Sequence, residues 1–163
     1  MDLTNFYNTV EQYALNTVGV ETFTIGDPYI TWNALHITYG AFNVALNYVE
    51  YNSDNGTAEL HLTMYYAGKQ KNDSSNIYDL QSDGFKVIRN VIRHLVENYE
   101  IEGIEDLQLY PYAQKFADAC AGAYADVVVY VPIEDDDCDW YDKPEPEPEP
   151  EPDPDDNNDD NNG

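Results

Sequence analysis

A chain of 163 residues is long enough for one domain with a proper core and too short for two ordinary ones. Thirty-two acids against seven lysines and arginines give a net charge of −25; such a surface repels phosphate backbones and argues against DNA or RNA binding, which relies on cations that displace counterions. The start, "MDLTNFYNTV", has an acid where a signal peptide needs positive charge, and no apolar run of about 18 residues follows, so a soluble, cytosolic product with no membrane partner is expected.

Residues 4–18 place Phe6, Val10, Tyr13, Ala14 and Val18 at helical spacing, with Thr4 as a candidate N-cap and Gly19 as a stop. "TFTIGDPYITW" is broken by Gly26 and Pro28 and reads as a long connection with at most a short strand. Residues 33–39, 42–52 and 57–67 are rich in Tyr, Val, Leu and Thr in alternation and are predicted to be three strands of a meander. In the hairpin joining the last two, pairing Ser53 with Thr57 sets Glu50, Tyr48, Leu46 and Val44 opposite Leu60, Leu62, Met64 and Tyr66. That register needs Gly56 in the left-handed region of a bulged turn. The alternative, a two-residue Asn-Gly turn, sets Asn47 against Met64 and is less favoured.

After the polar loop 68–76, Ile77, Leu80, Gly84, Val87, Ile88, Val91, Ile92, Leu95 and Val96 predict an amphipathic helix over 76–99 that lies across the sheet. Its polar face carries Lys86, Arg89 and Arg93, as a solvated face or as a contact to an acidic neighbour. Gly103 ends the helical stretch, and strands are predicted over 104–112 and 123–131. In the last of these, Ala123, Ala125, Val127, Val129 and Val131 share one face while Tyr124, Asp126 and Tyr130 take the other. The predicted class is α+β: an antiparallel sheet, a three-stranded meander plus a C-terminal strand pair, with two helices on one face.

Two units follow from composition: a folded domain over 1–133 and an acidic, proline-rich tail over 134–163. The tail holds 15 acids and one lysine, a net −14, which leaves −11 on the domain. Alternation of proline with acid in "PEPEPEPEPDP" removes donors and favours an extended chain, about 34 Å long over 144–154 at ~3.1 Å per residue. The tail is expected to stay disordered, as a spacer, a lure for a basic partner or a solubility tail.

No catalytic, cofactor-binding or metal residue is assigned. Cys120 lies among Ala119, Ala121, Gly122 and Ala123, near Asp118, where small neighbours suit a tight turn between strands and a carboxylate opposes thiolate formation. Cys120 and Cys138 are too few for a disulfide framework or a thiolate zinc site. His36, His61 and His94 fall singly, with no metal-binding pair. A calcium loop starting at Asp153 would need glycine where Asn158 stands, and no phosphate-cradling glycine loop occurs. Fifteen tyrosines suit half-buried strands and contact surfaces alike.

The helix "DLQSDGFKVIRNVIRHL", a following strand and "PYAQKFADACAGAYADVVVYVP" together resemble small virion proteins of tailed bacteriophages, above all tail terminator or tail completion proteins of Bacteroidetes phages. Pro111, Tyr112, Lys115, Phe116, Ala117, Asp118, Ala121 and Gly122 carry the similarity, and Cys138 stands where the family often has a cysteine. It covers residues 77–140; Ala123 departs from the aromatic usual after Ala-Gly, and the acidic tail is an addition. The resemblance implies a structural, non-enzymatic protein assembled in the host bacterial cytoplasm into a homo-oligomeric ring, sixfold or twelvefold, at the tail or head-tail junction. Its other partners would be tail or neck proteins of the virion. An acidic inner wall would let DNA slide through. A connector, ring or capsid-associated protein of a short-tailed phage is the alternative within that class. An acidic regulatory or DNA-mimic protein binding a basic host partner is the alternative outside it.

Overall fold

The computed structural model describes residues 3–34, 38–52, 56–113 and 119–133. In chain order these form α1 (Leu3–Leu15), β1 (Thr22–Ile25), α2 (Pro28–Ala34), β2 (Ala41–Asn52), β3 (Thr57–Lys69), α3 (Ile77–Leu95), β4 (Glu100–Glu102), a 3-10 turn (Ile104–Asp106), β5 (Tyr110–Ala113) and β6 (Cys120–Pro132). The class is α+β, with six strands in one sheet of order β1-β2-β3-β6-β4 and β5 paired to β6 beside β4.

Three long strands, β2, β3 and β6, make the body of the sheet, and short strands flank them. β3 pairs with β6 without interruption from Thr57↔Pro132 to Lys69↔Cys120. Even-numbered residues of β3 and odd-numbered residues of β6 point to one side, where α1 and α3 cover them. Phe6 and Val10 of α1, Val87, Ile88, Val91, Ile92 and Leu95 of α3, and Leu60, Leu62, Met64, Val127 and Val129 of the sheet form this core. The apolar stripe of α3 thus lies across the sheet as its periodicity predicts. Asp79 in its first turn and Arg93 and His94 in its last suit the helix dipole.

The sheet is mixed rather than antiparallel. β1 runs parallel to β2, from Thr22↔Ala41 to Ile25↔Val44, and it replaces the strand expected over 33–39. Asn33 and Ala34 belong instead to α2, whose entry Asp27-Pro28 combines a cap with a proline at the first helical position: the Tyr29 amide donates to Asp27 Oδ1 at 2.8 Å. Residues 104–106 are a 3-10 turn, so the strand expected over 104–112 is confined to 110–113, and β4 was not anticipated.

The hairpin register also differs. Asn52 pairs with Thr57 and Val49 with Leu60, and a bulge between Leu46 and Tyr48 shifts the rest to Leu46↔Leu62 and Val44↔Met64. Either predicted register keeps a strict two-residue alternation. The bulge at Asn47 breaks it, so Val44 and Leu46 on one side of it and Val49 on the other all face α3 while Tyr48 turns away. Gly56 does take the left-handed conformation, at φ +61°. Ser53, Asp54 and Asn55 lie outside the described residues, as do the acidic tail 134–163, His36, Cys138 and the motif residues Lys115, Phe116, Ala117 and Asp118.

Cys120 to Ala123 begin β6 and do not form a turn. Their small size serves lateral contact. A Cβ on Gly122 would stand 1.8 Å from the Tyr66 carbonyl oxygen, and a Cβ on Gly84 of α3 would stand 2.8 Å from the Ala123 nitrogen. Helix and strands therefore meet backbone to backbone here.

Candidate functional site

The sheet face opposite α1 and α3 is covered by α2 at one corner and otherwise by no element among the described residues. Register sets what it displays. Tyr65 pairs with Tyr124, and Tyr124 with Tyr110, so three tyrosines stand in one row across β3, β6 and β5. Their rings stack at centroid distances of 5.6 and 5.0 Å, and Trp32 of α2 meets Tyr65 edge-on at 6.4 Å. Such cross-strand aromatic pairs contribute roughly 0.2–1 kcal/mol each. Trp32 is fixed in turn, its indole N–H donating to Thr24 Oγ1 at 2.9 Å, and Asn43 Nδ2 donates to the same oxygen at 2.9 Å. Burial, then Asp126 and neighbouring groups, push the Tyr65 phenol above its ordinary range.

Tyr112 crosses this face at the next level. It pairs with Gly122, and its hydroxyl reaches over the glycine to donate to the Tyr66 carbonyl at 2.8 Å. The pair explains two positions of the motif quoted above: an aromatic at 112 needs no side chain at 122. Burial, reinforced by Cys120 and three tyrosines, raises the Tyr112 phenol far above its ordinary value. Cys120 is itself 1% exposed in this cluster, which suits packing and offers no approach to a substrate.

Toward the hairpin the face becomes polar and then acidic. Asn47 Nδ2 donates to Thr63 Oγ1 at 2.9 Å and Thr63 Oγ1 donates to Asp126 Oδ1 at 2.7 Å, a chain that pins the bulge. Tyr48 stacks on His61 at 4.0 Å. Beyond them lie Glu50, Glu59, Tyr130 and Glu100, paired in that order across four strands, with Glu102 beside them. Local desolvation, then Glu102, Glu59 and Glu100, push the Tyr130 phenol upward. Glu50, Glu59 and His61 bring ligand atoms within 4.8 Å of one another, a grouping hidden from a reading of single histidines along the chain. His61 Nε2 and Glu59 Oε2 stand 3.8 Å apart, against about 3.4 Å between donors of a tetrahedral zinc site. His94 sits elsewhere, on α3, stacked on Tyr13 at 5.4 Å.

Two further features flank the face. β1 covers β2 only over Ala41 to Val44, so Ala45 to Asn52 present an open strand edge among the described residues, with Tyr48 and Tyr51 exposed beside it. On the far side of the sheet, Lys86, Arg89 and Arg93 of α3 line one wall of a groove of about 750 Å³, and Ile104, Leu107 and Leu109 line the other.

No protein-family model matches this chain, and no curated protein matches it either.

Proposed function

We propose that this chain is a structural subunit of a tailed-bacteriophage virion, a ring-former of the tail terminator or tail completion kind. The observation that carries the reading is the open edge of β2 beside a tyrosine-lined sheet face. Unpaired strand edges recruit another chain by strand addition, and tyrosine supplies large contact area with few rotatable bonds. The resemblance of residues 77–140 to such proteins supports the same role, since its positions 112 and 122 form a matched pair in this fold. In a ring of six or twelve copies, the acidic end of the face, Glu50, Glu59, Glu100 and Glu102, is the part suited to a lumen that passes DNA without retaining it.

Light scattering coupled to size exclusion, followed by electron microscopy of any assembly, tests this. The expected result is a closed ring that Tyr48→Ser with Tyr51→Ser reduces to folded monomers, because both side chains are exposed in the single subunit, at 55% and 63%. A chain that stays monomeric at all concentrations, or a double variant that assembles like the parent, overturns the proposal. Capture of a basic host protein by a monomeric chain would favour the regulatory alternative instead.

A further inference from the structure

Both arginines of the chain and one of its five lysines stand together on α3, in a protein with 32 acids. Among the described residues, Lys86 pairs with Asp83 at 3.1 Å, Arg93 donates to Asn90 Oδ1 at 2.8 Å, and Arg89 has no hydrogen-bond or ion-pair partner. Across the groove lie Ile104, Leu107 and Leu109, with Glu105 the one acid lining it. Cations over an apolar wall, on a domain of net negative charge, describe a receptor for an extended acidic segment that carries apolar groups between its charges.

We infer that the groove binds the proline-acid repeat of the same chain, residues 144–154, in cis. Charge and composition select this occupant. The repeat alternates carboxylates with proline rings and, at three residues per turn, presents both on every side, so each wall of the groove meets groups it can bind. Reach also allows it. The wall over 104–109 joins β4, paired to β6 at Val128 to Tyr130, to β5, paired at Ala121 to Tyr124. The chain must therefore return from Ile133 past roughly 5–9 residues of β6, about 17–30 Å at ~3.3 Å per residue. The intervening residues 134–143 span up to ~33 Å when extended. Exposed ion pairs are individually weak. A tethered segment nonetheless meets its groove at an effective concentration on the order of millimolar, so a few such pairs hold it. The contact is independent of ring formation and would place the tail where an acidic partner of the same groove must compete with it.

The test uses the full chain, labelled with nitrogen-15, with a spin label on Asn157→Cys and with Cys138→Ser; Cys120 is too buried to take the label. The inference expects loss of amide signal confined to Arg89–Val96 and Ile104–Leu109, unchanged on dilution with unlabelled chain. Roughly 0.5 M salt, which shortens screening lengths to a few ångströms, should restore the signal. Arg89→Glu with Arg93→Glu should restore it too, and Arg89→Lys with Arg93→Lys should retain the loss. Signal loss that is absent, that falls elsewhere on the surface or that survives charge reversal overturns the inference. So does loss seen only between a spin-labelled copy and a separate nitrogen-15 copy, which would assign the contact to a neighbouring subunit.

Discussion

Gly122→Ala adds one methyl group where β3 and β6 pair, and the geometry gives it nowhere to go. Its Cβ would lie 1.8 Å from the Tyr66 oxygen, 2.9 Å from the Tyr66 carbonyl carbon and 3.3 Å from the Ala67 Cα. Weak C–H···O contacts have C···O separations of about 3.3 Å, so the strands must part by roughly 1.5 Å. No rotamer change relieves this, because every atom met is backbone. Parting the strands loses two ladder hydrogen bonds and the Tyr112–Tyr66 bond, at about 1 kcal/mol each. Residual overpacking adds about 1–3 kcal/mol. The expected loss is roughly 4–6 kcal/mol, a large part of the ~5–15 kcal/mol typical of a domain. Cys120→Ser, two residues away, keeps the shape and should cost about 1–2 kcal/mol for a buried hydroxyl. Urea unfolding followed by circular dichroism measures both. The reasoning fails if Gly122→Ala lies within about 1 kcal/mol of the parent, or if Cys120→Ser is the more damaging; the second result would reopen a chemical role for the thiol.

Gly84→Ala gains helix propensity of about 1 kcal/mol but drives a methyl to 2.8 Å from Ala123 N and 2.9 Å from its Cβ. Overpacking of about 1–3 kcal/mol should leave a net loss, partly recovered by Ala123→Gly in a double-mutant cycle. The Tyr112 phenol is raised from its ordinary 10.0, so the stability gained by keeping it neutral is full below pH 10.0 and is lost as pH climbs beyond. Tyr112→Phe should accordingly unfold with an alkaline slope shallower by one proton, about 1.4 kcal/mol per pH unit; an unchanged slope in denaturation from pH 9 to 11 would count against the burial argument. Thr63→Val removes the hydroxyl that links Asn47 to Asp126. A loss of about 1–2 kcal/mol is expected, with backbone chemical shifts changing most at Leu46 to Tyr48.

The long elements were legible because each carries a clean period. α1 and α3 repeat at helical spacing, and β6 alternates valine and alanine against tyrosine and aspartate, so their buried faces follow directly. What escaped has no period to read. β4 is three residues long, too short for alternation to declare itself, and of β1 the sequence allows a short strand within its connection but not the parallel pairing to β2. The bulge at Asn47 leaves no mark except a polar residue in a strand, and it adds a one-residue shift on its far side to the one already set at the turn, where Asn52 rather than Ser53 pairs with Thr57. α2 did carry a signal, Asp27-Pro28 as cap and first turn, which the aromatic and β-branched content of "PYITW" masked. The tyrosine row was present as composition, but its assembly into one face depends on the register of three strands distant in sequence.

The strand that pairs with three others, β6, is the last described one to leave the ribosome. β6 meets β3 at sequence separations of 51 to 75, from Lys69↔Cys120 to Thr57↔Pro132. Loop closure over such distances is slow, which places folding toward the millisecond-to-second range of sheets built on non-local contacts. A β2–β3 hairpin that forms first would leave the 13 residues of β3 as an open edge until β6 pairs with it. A chain accumulating in many copies would therefore be most exposed to pairing with its neighbours before β6 arrives, and a pulse-labelling hydrogen-exchange experiment should find the amides of β3 and β6 protected together and late.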